Sequence, residues 1–285
     1  MLVELFYHID NFCNILKTIQ LPKKSKKLNR LTNSEIMTIC VYYHYSGYKT
    51  FKDYYKKHVL IFLTNEFKNL VSYNRFVELK QELAPDIGCL MQMIMSFNQC
   101  TGTSFIDSFS LVVSHNKRIY SHKVFQGVAA RGKTSVGWFF GFKVHITVDP
   151  AGNILNLYFT PGNIADNNEQ VLKKLTANMF GKIFGDKGYL LNPELFRQLY
   201  ENSVQFVTKI RSNMQNKLMN LTDKLLLKKR GVIESVIDII KIHLSVDHSR
   251  HRSRAAFLSN LFSGIIAYAF YPQKPSIVAN LQVIP

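Results

Sequence analysis

The sequence predicts an α/β protein, a mixed sheet flanked by helices and preceded by a small all-helical region. Three observations predict it. Residues 1–98 carry apolar positions at helical spacing, the texture turns β-rich from Gly102, and after one strand and a hairpin, helix and strand alternate to about Leu244.

In the first region Leu2, Leu5, Phe6, Ile9 and Phe12 follow a helical period. The basic run LPKKSKKLNR, with Lys23, Lys24, Lys26, Lys27 and Arg30, reads as a linker. Thr32 followed by Glu35 has the spacing of a capping box, which starts a helix over about Asn33–Tyr45 that Gly47 ends. Further helices fit Phe51–Lys57 and Tyr73–Leu83, with Pro85 as a stop.

In the second region SFIDSFSLVV reads as a strand. FFGFKVHITVD and ILNLYFT form a hairpin across the turn PAGN, with Lys143 and His145 on one strand face and Val144 and Ile146 on the other. NNEQVLKKL is a helix, KIFGD a short strand, PELFRQLYEN a helix with Pro193 at its start, VQFVTKI a strand, and Lys228–Leu244 a helix striped by Ile233, Val236, Ile237, Ile240 and Leu244.

Composition narrows the partners. Lys plus Arg is 36 against 19 Asp plus Glu, a formal net charge of +17. Such a surface favours a polyanion, either nucleic acid or an anionic membrane. The longest apolar stretch, Ala255–Tyr271, is interrupted by Ser259, Asn260 and Ser263 and is too short for a span. The start, MLVELFYHIDNFC, has no basic region of the signal-peptide kind. The expectation is a cytoplasmic, nucleoid-associated protein that binds no membrane. Cys13, Cys40, Cys89 and Cys100 show no metal spacing and read as buried free thiols.

Three acids stand out by position. Asp107 interrupts an apolar strand, FIDSF, where a carboxylate needs compensation. Asp186 ends an apolar strand between Gly185 and Gly188. Glu234 lies on a helix, with Arg230 four residues before it and Lys241 seven after, on one helical face. Asp238 is the rival on that face. Phosphodiester chemistry needs charge compensation at a crowded anionic centre, which two Mg²⁺ ions held by converging carboxylates can supply. Each acid also has a plainer reading, as a hydrogen-bonded strand Asp, a turn Asp or a solvated ion pair.

The segments FIDSF, HNKR, SHKVF, RGKTSVGWFFGFKVH, PGNIADN, GKIFGDKGY, TKIRSNMQN, KKRGVIESV and HSRHRS occur in this order. Over Phe105–Pro275 the sequence resembles the DDE-type transposases of small bacterial insertion sequences. The resemblance implies a ribonuclease-H-like catalytic domain over 99–285, with Asp107, Asp186 and Glu234 as catalytic and metal-binding acids. It implies Mg²⁺, with Mn²⁺ able to substitute. It also implies double-stranded DNA as partner, both transposon ends and target, and a homodimer on DNA. Arg230, Glu234 and Lys241 fit the related enzymes' Tyr, two residues, Arg, three residues, Glu, six residues, Lys pattern. Leu227 stands at the Tyr position and departs from it. The helical region 1–98 reads either as a DNA-end recognition domain of the helix-turn-helix kind or as a helical bundle that only packs on the rest.

Arg230, Lys241, Lys187, Lys209, Arg211, Arg250, Arg252 and Lys143 are the expected DNA contacts. Trp138 reads either as a base-stacking residue or as an ordinary core or surface aromatic. The spacing of His115 and His122 does not make a metal site. A structure-specific nuclease and a DNA-binding protein without chemistry are the competing readings.

Overall fold

The computed structural model describes residues 1–19, 30–209, 219–247 and 251–278. In chain order its helices and strands are α1 (Leu2–Ile19), α2 (Asn33–Tyr42), α3 (Phe51–Tyr54), α4 (Leu60–Phe62), α5 (Tyr73–Glu82), α6 (Ala84–Ser96), β1 (Thr103–Ser114), β2 (Ala130–Thr134), β3 (Gly137–Val148), β4 (Ile154–Pro161), α7 (Glu169–Leu175), β5 (Gly181–Gly185), α8 (Pro193–Glu201), β6 (Val204–Thr208), α9 (Leu221–Lys229), α10 (Gly231–Asp238) and α11 (Arg254–Ala269). The chain divides into two compact units. One holds Met1–Ile94 together with Ile239–Val246 and His251–Tyr271, and the other is built on Met95–Asp238. The two C-terminal segments that the sequence reading assigns to the catalytic domain therefore pack with the helices.

In the helical unit, polar caps start the helices as the sequence expects. Thr32 accepts from the Glu35 N–H at 3.2 Å while the Glu35 carboxylate accepts from the Thr32 N–H at 2.7 Å, a complete capping box. Ser72 caps α5 and Ser253 caps α11. α5 ends at Glu82, before Pro85 as expected, and Pro85 lies in the first turn of the next helix, α6, where a missing N–H and a fixed φ cost nothing. The core is aromatic. Tyr54, Tyr55 and Phe76 are fully buried, and the Phe51 and Phe76 rings stack at 5.6 Å. The Lys80 ammonium is buried 4.2 Å from the Phe51 ring centroid. α11 is buried nearly all round and packs on α2 and α5. The Nδ1–H of buried His44 donates to the Leu244 carbonyl at 2.6 Å.

The second unit holds a mixed sheet in the order β2-β3-β1-β5-β6, with β4 also paired to β3. β1 runs antiparallel to β3 and parallel to β5, and β6 is parallel to β5. β2 (Ala130–Thr134) is an additional strand on β3. Its sequence, ARGKT, is too polar and Gly-containing to show strand periodicity. β1 pairs with β5 only through Thr103–Phe105, yet runs on to Ser114 along β3. β1 thus loses its β5 neighbour just before Asp107. The Ile106 side chain joins a core with Leu172, Leu175, Ile183, Tyr189, Leu195 and Leu199. Strand alternation then turns Asp107 to the opposite face, where α10 packs.

The cysteines are free. Cys13 and Cys40 are buried, whereas Cys100 is half-buried and Cys89 is exposed on α6. No helix among the described residues is long and apolar enough to cross a membrane. The basic run with Lys23, Lys24, Lys26 and Lys27 lies outside the described residues.

Phe105 and Phe184 are both fully buried where β1 and β5 pair, with ring centroids 5.8 Å apart. Phe184→Ala should destabilise the α/β unit by about 3–5 kcal/mol. Urea unfolding followed by far-UV circular dichroism measures it.

Candidate active site

The parallel pairing of β1 with β5 ends at Phe105 and Phe184, so Asp107, in the first half of β1, and Asp186, just past the end of β5, both lie where that pairing stops. Asp186 follows the last residue of β5 and caps the short 3₁₀ turn Lys187–Tyr189, its Oδ1 accepting from the Gly188 N–H at 2.7 Å. Two glycines permit this turn. A Cβ on Gly185 would stand 3.0 Å from the Ile106 side chain and 3.1 Å from Tyr189, and one on Gly188 would stand 2.9 Å from Asp186 Oδ1. Asp186 itself is exposed.

Asp107 is four-fifths buried, and both its oxygens are bonded. Oδ1 accepts from the Ser108 N–H at 2.8 Å, and Oδ2 accepts from Arg230 Nη1 at 2.8 Å. The same guanidinium donates through Nη2 to the carboxylate of Glu234. Arg230 stands at the junction of α9 and α10, and Glu234 lies one turn into α10. The sequence reading expects one helix over Lys228–Leu244. The structure breaks it at Arg230 and again after Asp238, where a π turn, Ile239–His243, takes over. Burial raises the pKa of Asp107 above the ordinary carboxylate value, the Ser108 N–H and Arg230 oppose the rise, and nearby Asp186 adds to it.

A second polar cluster shares the sheet. Ser108 and Lys143 both donate to Oδ1 of Asp166, at 2.7 and 3.1 Å. The His145 ring is fully buried, with Nδ1 3.7 Å from the same oxygen and Nε2 2.9 Å from Thr160 Oγ1. Burial lowers its pKa to about 4, so the ring is neutral at pH 7 and Lys143 alone offsets the Asp166 charge. Tyr189 is also buried. Its pKa is raised by burial first and then by Asp166, Asp107 and Asp186, a rise that a hydrogen bond with the Ser108 side chain opposes.

The structure thus brings Asp107, Arg230 and Glu234 into direct contact and sets Asp186 beside Asp107. Lys143 is mostly buried and bound to Asp166. Lys187 and Lys209 are exposed, at the ends of β5 and β6. Lys241 and Arg252 belong to the helical unit. Arg211, His248 and Arg250 lie outside the described residues. Trp138 is exposed on β3, with the Lys133 ammonium 5.8 Å from its ring. Leu227, at the expected Tyr position, is buried. Asp166, Ser108 and Tyr189 are absent from the sequence prediction, although Asp166 and Tyr189 lie in the segments PGNIADN and GKIFGDKGY that carry the resemblance. Ser108 follows directly on Asp107.

A family model described as the transposase DDE domain matches residues 97–254, more than half of the chain. The chain belongs to this family. As a DDE-type transposase it is a protein of DNA transposition and recombination. Its fold is similar to that of a piggyBac transposase solved by cryo-electron microscopy as a synaptic complex with hairpin DNA. That match covers 94% of this chain and 71% of the other, with a TM-score of 0.53 at 12% identity. At this identity the likeness bears on the fold, and the mixed sheet with its helices fits a ribonuclease-H-like domain. No curated protein sequence matches the transposase chain.

The acids of this transposase suit a hard divalent cation in their chemistry, since all their donors are carboxylate oxygens. As folded, no three Asp, Glu, His or Cys side chains among the described residues close on a single point. The Arg230 guanidinium occupies the space between Asp107 and Glu234.

The raised Asp107 pKa has a signed consequence. Because the folded state holds this proton more tightly than the unfolded chain, the Asp107 contribution falls as pH rises from about 4 through the folded pKa. Asp107→Asn removes the buried charge and leaves an acceptor for only one of its two donors, the Ser108 N–H and Arg230. Thermal melts from pH 4 to 8 should show its stability relative to wild type growing with pH.

Proposed function

We propose that this protein cuts DNA at the ends of an insertion sequence and joins the freed 3′ end to target DNA. The reading rests chiefly on one observation. Asp107 on β1, with Asp186 nearby just past the end of β5, is joined through Arg230 to Glu234 of α10 in a chain of the DDE transposase family.

Asp107, Asp186 and Glu234 are the groups that would hold Mg²⁺ or Mn²⁺. Two such ions would supply activation of the attacking oxygen and stabilisation of the leaving one. Asp107 serves from a rigid strand, fixed by the Ser108 N–H. Asp186 serves from a turn fixed by Gly188. Glu234 is more than half exposed and reaches the site from α10. Arg230 holds two of the acids together, and with Lys187 and Lys209 it supplies positive charge for DNA phosphates. Cutting and joining are both in-line displacements at phosphorus, so one set of acids serves both. The helical unit would recognise the terminal repeats, and pairing of two ends calls for a homodimer on DNA. The reading carries with it a bacterial source and a place on the nucleoid.

The test uses a labelled duplex carrying the terminal sequences that flank the gene, with Mg²⁺ or with EDTA. Wild type should nick the duplex at the end and form a joined product in Mg²⁺ alone. Asp186→Asn and Glu234→Gln should reduce both products to background while DNA binding persists. Nicking without joining would assign a nuclease. Binding without cutting in Mg²⁺ would assign a DNA-binding protein.

A further inference from the structure

Ser108 is bonded to two acids at once. Its backbone N–H donates to Asp107 Oδ1 at 2.8 Å, and its hydroxyl donates to Asp166 Oδ1 at 2.7 Å. Alternation along β1 puts the Asp107 and Ser108 side chains on opposite faces. Asp166 therefore grips the strand from the face behind Asp107, one residue further along. It does so at the point where β1 has only β3 for a neighbour, since pairing with β5 stops at Phe105.

The grip is itself built in. Lys143, with a side chain only 13% exposed, donates to the same Asp166 oxygen at 3.1 Å, and both Lys143 and Ser110 belong to a paired register of β1 and β3. His145 sits directly opposite Ser108 in that register, fully buried and tied to Thr160. The buried Tyr189 hydroxyl lies beside the Ser108 side chain and within the field of Asp166, Asp107 and Asp186 together.

We propose that Asp166 is a positioning residue of the metal site, acting through Ser108 to hold the Asp107 carboxylate in its ligating orientation. The inference rests on the reading of Asp107 as a metal ligand. Outer partners that orient a ligand change metal affinity substantially when removed. A residue that served only folding would alter the melting temperature and leave that affinity alone.

The experiment measures Mn²⁺ affinity by electron paramagnetic resonance titration of the full-length protein, with Asp107→Asn, Ser108→Ala, Asp166→Ala and the double variant Ser108→Ala/Asp166→Ala. Ser108→Ala and Asp166→Ala should each weaken Mn²⁺ binding about tenfold. The double variant should lose no more than the weaker single variant, because both remove the same link. Wild-type affinity in Asp166→Ala, or losses that multiply in the double variant, would overturn the proposal. If Asp166→Ala does not fold, with Lys143 stranded, Ser108→Ala carries the test, and wild-type affinity there overturns it equally. Asp107→Asn separates the two levels. Unchanged affinity in that variant sinks the metal site itself, whereas its loss beside an unaffected Asp166→Ala sinks only the role of Asp166.

Discussion

One guanidinium between two carboxylates organises the site. Arg230 reaches Asp107 on β1 and Glu234 on α10, and so ties a helix to the central strand by charge as well as by packing. Asp107 is mostly buried, and an unpaired carboxylate there would cost several kcal/mol. Arg suits the task better than Lys. Its planar fork presents two donors in fixed directions, one to each acid. The position of Arg230 at the α9–α10 junction follows from the same need, since the side chain must leave the helix end toward the sheet while Glu234 rises one turn later.

The sheet imposes the second constraint. A parallel β1–β5 pair sets Asp107 and Asp186 where their pairing stops, and its early end leaves β3 as the one strand paired with β1 at Asp107. The small residues around Asp186 let its turn fold tightly against Ile106 and Tyr189. Apolar packing on one face of β1, through Ile106, Leu172 and Ile183, therefore fixes the polar chemistry on the other. Ser108 links the two faces, because its backbone belongs to Asp107 and its side chain to Asp166.

Much of this was legible in the residues. Asp107 announced itself as an acid in an apolar strand, Asp186 as an acid between glycines, and the Arg230–Glu234 spacing as a one-turn pair, because each signal is local. The capping box at Thr32 and Glu35 was legible for the same reason. What escaped was non-local or ambiguous. Asp166 lies in a loop with no periodicity, and its meaning depends on Ser108, 58 residues earlier in the chain. Lys143 reads as a free cation along one strand, and only the β3 register delivers it to Asp166. Pro85 reads only as a helix stop, and although α5 does end before it, Pro85 also sits in the first turn of α6. The offset of seven between Glu234 and Lys241 assumes a regular helix, whereas a π turn intervenes.

The Arg230 bridge also bears on how the protein is made. In small zinc modules the ligands repel one another until metal arrives, and folding waits for the ion. Here a side chain from the same polypeptide already offsets the charge of Asp107, the most buried of the three acids. In the folded chain that charge is compensated without an ion.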